Sequence, residues 1–169
     1  PRGIAVDREG TVYVTDTGNN RMVIFDENGN YQQQFGGSGI NPGEFDEPVG
    51  IAVDGNGRVY VADTWNQRIQ VFEPAGKEGY SVLRSWDVHG WFGQSINNKP
   101  FLALDAENHI FVTDPDGFRV LEFDQMGNFL RGWGEVSSGI DGFGVPSGIA
   151  VAGDERVWVR NAENNFTLG

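Results

Sequence analysis

Short runs of β-branched and aromatic residues, each five or six long and bounded by Asp, Asn and Gly, recur along the whole chain. Gly3-Ile4-Ala5-Val6-Asp7 returns as Gly50-Ile51-Ala52-Val53-Asp54, Phe101-Leu102-Ala103-Leu104-Asp105 and Gly148-Ile149-Ala150-Val151-Ala152, at offsets of 47, 51 and 47. A second series keeps those offsets: Val12 to Asp16, Val59 to Asp63, Ile110 to Asp114 and Val157 to Asn161. A third runs Arg21 to Phe25, Arg68 to Phe72 and Arg119 to Phe123. Such runs favour extended backbone, so each is expected to be a strand. Three registers sharing one spacing identify an internal repeat.

The turns between runs are equally explicit. Asp7-Arg8-Glu9-Gly10 and Asp54-Gly55-Asn56-Gly57 join first to second strands, and Glu27-Asn28-Gly29-Asn30 and Gln125-Met126-Gly127-Asn128 join third to fourth. Asp and Asn cap such turns through their side chains, and Gly takes the positive φ they require. A weaker fourth strand falls at Tyr31 to Phe35, Val82 to Trp86 and Phe129 to Trp133. Four short antiparallel strands every 47 to 51 residues have the dimensions of a β-propeller blade. The predicted fold is all-β, with blades at about 1–47, 48–98 and 99–145 and a partial one at 146–169. Stacked blades bury both faces of their inner strands, which accounts for the continuous Gly-Ile-Ala-Val run.

The patterns Pro-x-Gly-Ile-Ala-Val-Asp and Val-Tyr-Val-x-Asp-Thr-x-Asn-x-Arg resemble the NHL repeat, with strong matches in repeats one and two and weaker ones in three and four. Repeat three departs from it at Asp114-Pro115-Asp116-Gly117-Phe118-Arg119, and repeat four lacks both Asp and Arg. The resemblance implies a β-propeller of roughly six blades, of the bacterial type. The three and a half blades seen are therefore expected to belong to a ring closed by the remainder of a longer propeller or by other copies of the chain. Some NHL-type propellers are amidating lyases that hold zinc with several histidines, and no comparable set occurs in this sequence.

Composition narrows the partners. Twelve basic against 24 acidic residues give a net charge of −12 among 169 residues, a field that repels phosphate backbones and argues against nucleic acid. No apolar run reaches the ~20 residues of a membrane-spanning helix, so direct membrane insertion is not expected in this stretch. Cys is absent, which removes disulfides and thiolate chemistry, and no cofactor is expected. An extracellular or cell-surface location is the expectation, with the cytoplasm as the alternative.

Candidate chemistry is sparse. Asp16, Asp63 and Asp114 each precede an arginine by five residues, at Arg21, Arg68 and Arg119, and both partners change together in repeat four, to Asn161 and Phe166. These are expected to be structural pairs across the turn between second and third strands, with a bidentate guanidinium on the carboxylate. The Asp54 turn resembles the opening of a calcium loop but lacks a later bidentate Glu, so it reads as a turn. His89 and His109 fall at opposite ends of their blades, poorly placed to share a metal. No Ser, His, Asp constellation for nucleophilic catalysis stands out, so no catalytic residue is assigned.

The second interblade linker, 87–99, holds the four-residue insertion, and Trp65 replaces the Gly18 of repeat one. Trp65, His89, Trp91 and Phe92 are thus the candidate ligand-binding residues, an aromatic surface suited to a peptide, a protein or a glycan. The competing reading makes Trp91 and Phe92 packing between blades, the role assigned to Phe45 and Phe143. The sequence accordingly reads as a non-catalytic binding or scaffolding module that presents propeller-face loops, within a larger extracellular or cell-surface protein. The alternatives are a lyase- or lactonase-type propeller enzyme whose site lies in blades beyond this stretch, and a sensor or assembly domain of a membrane protein.

Overall fold

A computed structural model describes residues 1–88, 91, 99–136 and 142–162, and the backbone of 166–168. The chain forms two compact units, Pro1–His89 and Gly90–Gly169. In the first, strands β1 (Gly3–Val6), β2 (Val12–Asp16), β3 (Arg21–Phe25) and β4 (Tyr31–Gly36) form one antiparallel sheet in chain order. Strands β5 (Pro48–Val53), β6 (Val59–Asp63), β7 (Arg68–Pro74) and β8 (Tyr80–Asp87) form the next. The second unit repeats the plan with β9 (Leu102–Leu104), β10 (Ile110–Asp114), β11 (Arg119–Phe123) and β12 (Phe129–Trp133). Its second sheet has three described strands, β13 (Pro146–Val151), β14 (Val157–Asn161) and β15 (Phe166–Leu168).

An aspartate caps the turn from first to second strand in three of the repeats. Asp7 Oδ1 accepts from the N–H groups of Glu9 (3.0 Å) and Thr11 (2.8 Å), Asp54 Oδ1 from Asn56 (2.8 Å) and Arg58 (2.9 Å), and Asp105 Oδ1 from Glu107 (2.9 Å) and His109 (2.8 Å). The fourth turn residue takes the left-handed conformation, which Gly10 and Gly57 adopt at no steric cost. In the second unit Asn108 (φ 63°) and Glu155 (φ 65°) occupy that position, so the turn survives loss of the glycine. A register shift recurs between Ile24 and Phe25, Val71 and Phe72, and Glu122 and Phe123, where third strand meets fourth. That bulge breaks the period-2 pattern, which explains why the fourth strand is faint in the sequence.

The core of the first unit lies between its two sheets. Tyr13, Met22, Ile24, Phe45, Ile51, Val59, Val61 and Phe72 form one buried cluster, with Phe35 stacked on Tyr80 at its edge. Phe45, fully buried on the linker, lies over Gly36, where an added Cβ would stand 2.5 Å from its ring. Phe143 takes the same place over Gly134 in the second unit, against Phe111, Val120 and Val159. The inner strands differ from expectation. Strand β5 packs against β1 and β2 and is buried almost throughout, whereas β1 exposes Ile4 and Val6.

Candidate functional site

The second-to-third strand turns present the recurring Asp and Arg as directly opposed residues of one hairpin, Asp16 to Arg21, Asp63 to Arg68 and Asp114 to Arg119. Each arginine places Nε on Oδ2 of its aspartate, at 2.8, 2.7 and 2.7 Å. The contact runs through Nε alone, which corrects the expected bidentate pairing. The Arg68 terminal nitrogens are engaged elsewhere: Nη1 donates to Ile40 O (2.8 Å) and Nη2 to Asn41 O and Glu44 O (both 2.9 Å). Asp63 Oδ1 meanwhile accepts from Asp46 N (2.7 Å). The pair therefore fastens the preceding interblade linker to its turn.

Repeat four shows how the same job is done without charge. Asn161, equivalent to Asp63, accepts at Oδ1 from Gly144 N (2.9 Å) and Val145 N (3.1 Å), and its Nδ2 donates to Gly142 O (3.1 Å). Gly142 is the counterpart of Glu44, so one amide replaces both the carboxylate and part of the guanidinium. Burial pushes the Asp63 carboxyl up, opposed by donors from Asp46 N, Asn66 and Arg68. Asp16 is more open, and the side chains of Asn19 and Arg21 hold it below the usual carboxylate range.

The four aromatic candidates are not brought together as a described surface. Trp65 sits on the β6–β7 turn and is 43% exposed. Trp91 is 2% exposed, and its buried indole Nε1 has no hydrogen-bond partner among the described residues. This ring packs and presents no face to solvent, which removes it from the expected aromatic surface. His89 and Phe92 lie outside the described residues. Beside Trp65 the structure supplies a residue that sequence reasoning missed, Ile40, 76% exposed on the linker. The two loops are joined by Asn66 Nδ2 donating to Gly39 O (2.9 Å) and by Arg68 donating to Ile40 O. Ile40 carried no signal, because an isolated linker isoleucine looks like linker packing.

The second unit holds a polar cavity of about 340 Å³ lined by Asp105, Glu107, His109, Phe111, Glu122, Arg131, Glu155 and Val157. His109 Nδ1 lies 2.8 Å from Asp105 Oδ2 and 4.0 Å from Glu122 Oε1, while Nε2 lies 4.0 Å from Glu107 Oε2. The nearly buried Glu122 side chain accepts from Arg131 Nε, and the Arg131 guanidinium sits 5.4 Å from the Trp133 ring centre. Among the described residues no group of three or more His, Asp or Glu is arranged to hold a metal. The signal for this cavity was present in the repeat alignment, where Glu122 stands against Ile24, but a histidine weighed only as a metal ligand concealed it.

Residues 1–25 and 45–72 match the NHL repeat. The chain is 29% identical over 139 residues to Protein brain tumor of Drosophila melanogaster, a match covering 79% of this chain and 12% of that protein. Among solved structures it superposes on a streptogramin B lyase with a TM-score of 0.69 at 17% identity, over 97% of this chain and 49% of that one. It also superposes on virginiamycin B lyase from Staphylococcus aureus (0.65, 18%, 94% and 47%) and on hydrazine synthase of Kuenenia stuttgartiensis (0.69, 12%, 94% and 41%). At these identities the likeness is one of fold, and the chain spans about half or less of each of these structures. The first unit thus carries two NHL repeats, and the second continues the same strand registers on an all-β fold of propeller blades.

Proposed function

We propose that the chain is a non-catalytic binding or scaffolding module of a larger extracellular or cell-surface protein, presenting propeller-face loops to a protein, peptide or glycan. The observation that carries this reading is the Trp65 and Ile40 pair, exposed on adjacent loops that Arg68, Asn66 and Asp63 tie to the sheet. Loops fastened in this way lose little entropy when a ligand docks, and an aromatic ring supplies contact area on few rotatable bonds. The net charge of −12 opposes a phosphate backbone.

The test is direct binding of the purified protein to immobilised peptide and glycan collections, repeated with Trp65→Ala and Ile40→Ser. A ligand lost by both variants at unchanged melting temperature supports the surface. Ligands that bind both variants as well as wild type would move the docking face elsewhere. Turnover of a substrate by the longer protein, abolished by changes outside this surface, would favour an enzyme.

A further inference from the structure

The two units fill the space between their sheets with different chemistry. In the first unit the positions equivalent to the cavity lining include Asp7, Thr11, Tyr13, Ile24 and Gln33. There Tyr13 OH donates to Asp7 Oδ2 (3.1 Å) and meets Tyr80 OH (3.0 Å), Ile24 is buried in the apolar cluster, and Val82 packs beside it. No group in that layer is a buried carboxylate. In the second unit Phe111 replaces Tyr13, and His109, in the place of Thr11, takes over as partner of the aspartate Oδ2. Glu122 replaces Ile24 with its side chain 6% exposed, Arg131 replaces Gln33, and the space stays open at about 340 Å³. A glutamate in a layer that packs well with isoleucine is costly to bury, so packing does not account for it.

The polarity of the opening is one-sided. In the tautomer that directs an Nδ1 hydrogen at Asp105, the His109 Nε2 is an acceptor. Glu122, Glu107 and Glu155 add acceptors, while Arg131 is the one permanent cation of the lining and is paired with Glu122. Phe111 and Val157 supply apolar wall. The volume is in the range of small-ligand sites, and six of the eight lining residues are acidic, basic or histidine. We propose that this cavity binds a small organic cation, an ammonium or guanidinium group on a short apolar stem. Its charge would lie among Glu122, Glu155 and His109 Nε2, and its stem along Phe111 and Val157. The chemistry is common to a free amine and to a lysine or arginine side chain of a peptide. The site is on a different unit from Trp65 and does not depend on that surface.

The experiment titrates the protein with agmatine, which carries both cationic groups, with the capped tripeptide acetyl-Ala-Arg-Ala-amide, and with neutral butylurea, following backbone amide signals by NMR. The expected result is saturable 1:1 binding of one or both cations and none of butylurea, with shifts confined to residues 105–131 and 155–157. Agmatine alone would identify a free amine as the source, and tighter binding of the tripeptide a peptide side chain. Glu122→Gln is expected to weaken binding at least tenfold, and Val157→Phe, which fills the cavity and keeps every charge, to do the same. Should Glu122→Gln fail to fold, Val157→Phe and the wild-type shift map decide. No saturation at millimolar cation, equal binding of butylurea, or shifts scattered over the acidic surface would overturn the proposal.

Discussion

Removing the Arg68 side chain tests whether the recurring Asp and Arg pairs fasten linkers or merely decorate turns. The Asp63 side chain has no exposed surface and that of Arg68 is 11% exposed, so this pair is buried. Taking away one member of a buried pair costs about 3–5 kcal/mol, because the partner charge stays without its counter-ion. Asp63 retains donors from Asp46 N, Asn66 and Gln70, and the freed linker carbonyls can reach water, so the lower end, about 3 kcal/mol, is expected for Arg68→Ala. Arg21→Ala removes the same bond from an arginine 38% exposed beside an aspartate 17% exposed, where about 0–1 kcal/mol is expected.

Urea unfolding followed by tryptophan fluorescence provides the measurement, with the first unit's transition fitted separately if the two units unfold apart. The repeat supplies its own rescue: Asp63→Asn with Arg68→Ala writes the uncharged solution of Asn161 into blade two and should recover more than half of the loss. Equal losses for Arg21→Ala and Arg68→Ala, or a double variant no better than Arg68→Ala alone, would refute the argument. Acidity adds a further check. Burial raises the folded-state value of Asp63, and losing Arg68 raises it further, so protonation relieves the buried charge. The Arg68→Ala penalty should therefore be greatest at neutral pH and shrink as pH falls through that raised value.

The remaining expectations concern turns, glycines and the polar cavity. Asp16, Asp26 and Asp124 are lowered chiefly by bonds from Asn19, Asn30 and Asn128 respectively, so their stabilisation is full above the ordinary value of about 3.9 and is lost as pH falls through the lowered ones. Melting temperature followed from pH 6 to 2 should fall mainly below about pH 4. Gly36→Ala and Gly134→Ala force a Cβ to 2.5 and 2.4 Å from the Phe45 and Phe143 rings at positive φ, and each should cost about 1–3 kcal/mol by urea unfolding. Glu122→Ile combined with Arg131→Gln, which writes the first unit's residues into the second, should leave stability unchanged or raise it by about 1–4 kcal/mol while abolishing agmatine binding.

Strand positions and turns were legible because their causes are local. A β-branched run fixes an extended segment, and an aspartate four residues before a free N–H fixes the turn, as Asp7, Asp54 and Asp105 each do. What escaped was set by distant partners. The arginine pairs were readable as pairs, yet the linker carbonyls that take up Arg68 Nη1 and Nη2 lie 24 to 28 residues away. Trp91 and Trp65 look alike in sequence, and only the packed neighbours make one buried and the other exposed. Asn108 and Glu155 hold turns for which glycine was the expected signal.

Repetition makes deviation informative in a way that a single domain does not allow. Position 161 departs from aspartate and still fastens its linker, so the substitution is explained by the blade itself. Position 122 departs from isoleucine and gains nothing the blade requires, since Ile24 closes the same layer with apolar contacts alone. Arg131 and His109 differ from their counterparts at the same site, and the three changes share one cavity. Glu122 and Arg131 offset each other's charge, but the exchange also opens a space and buries a carboxylate where Ile24 packs at no such cost, and an occupant that brings a cation to the opening is what would offset it.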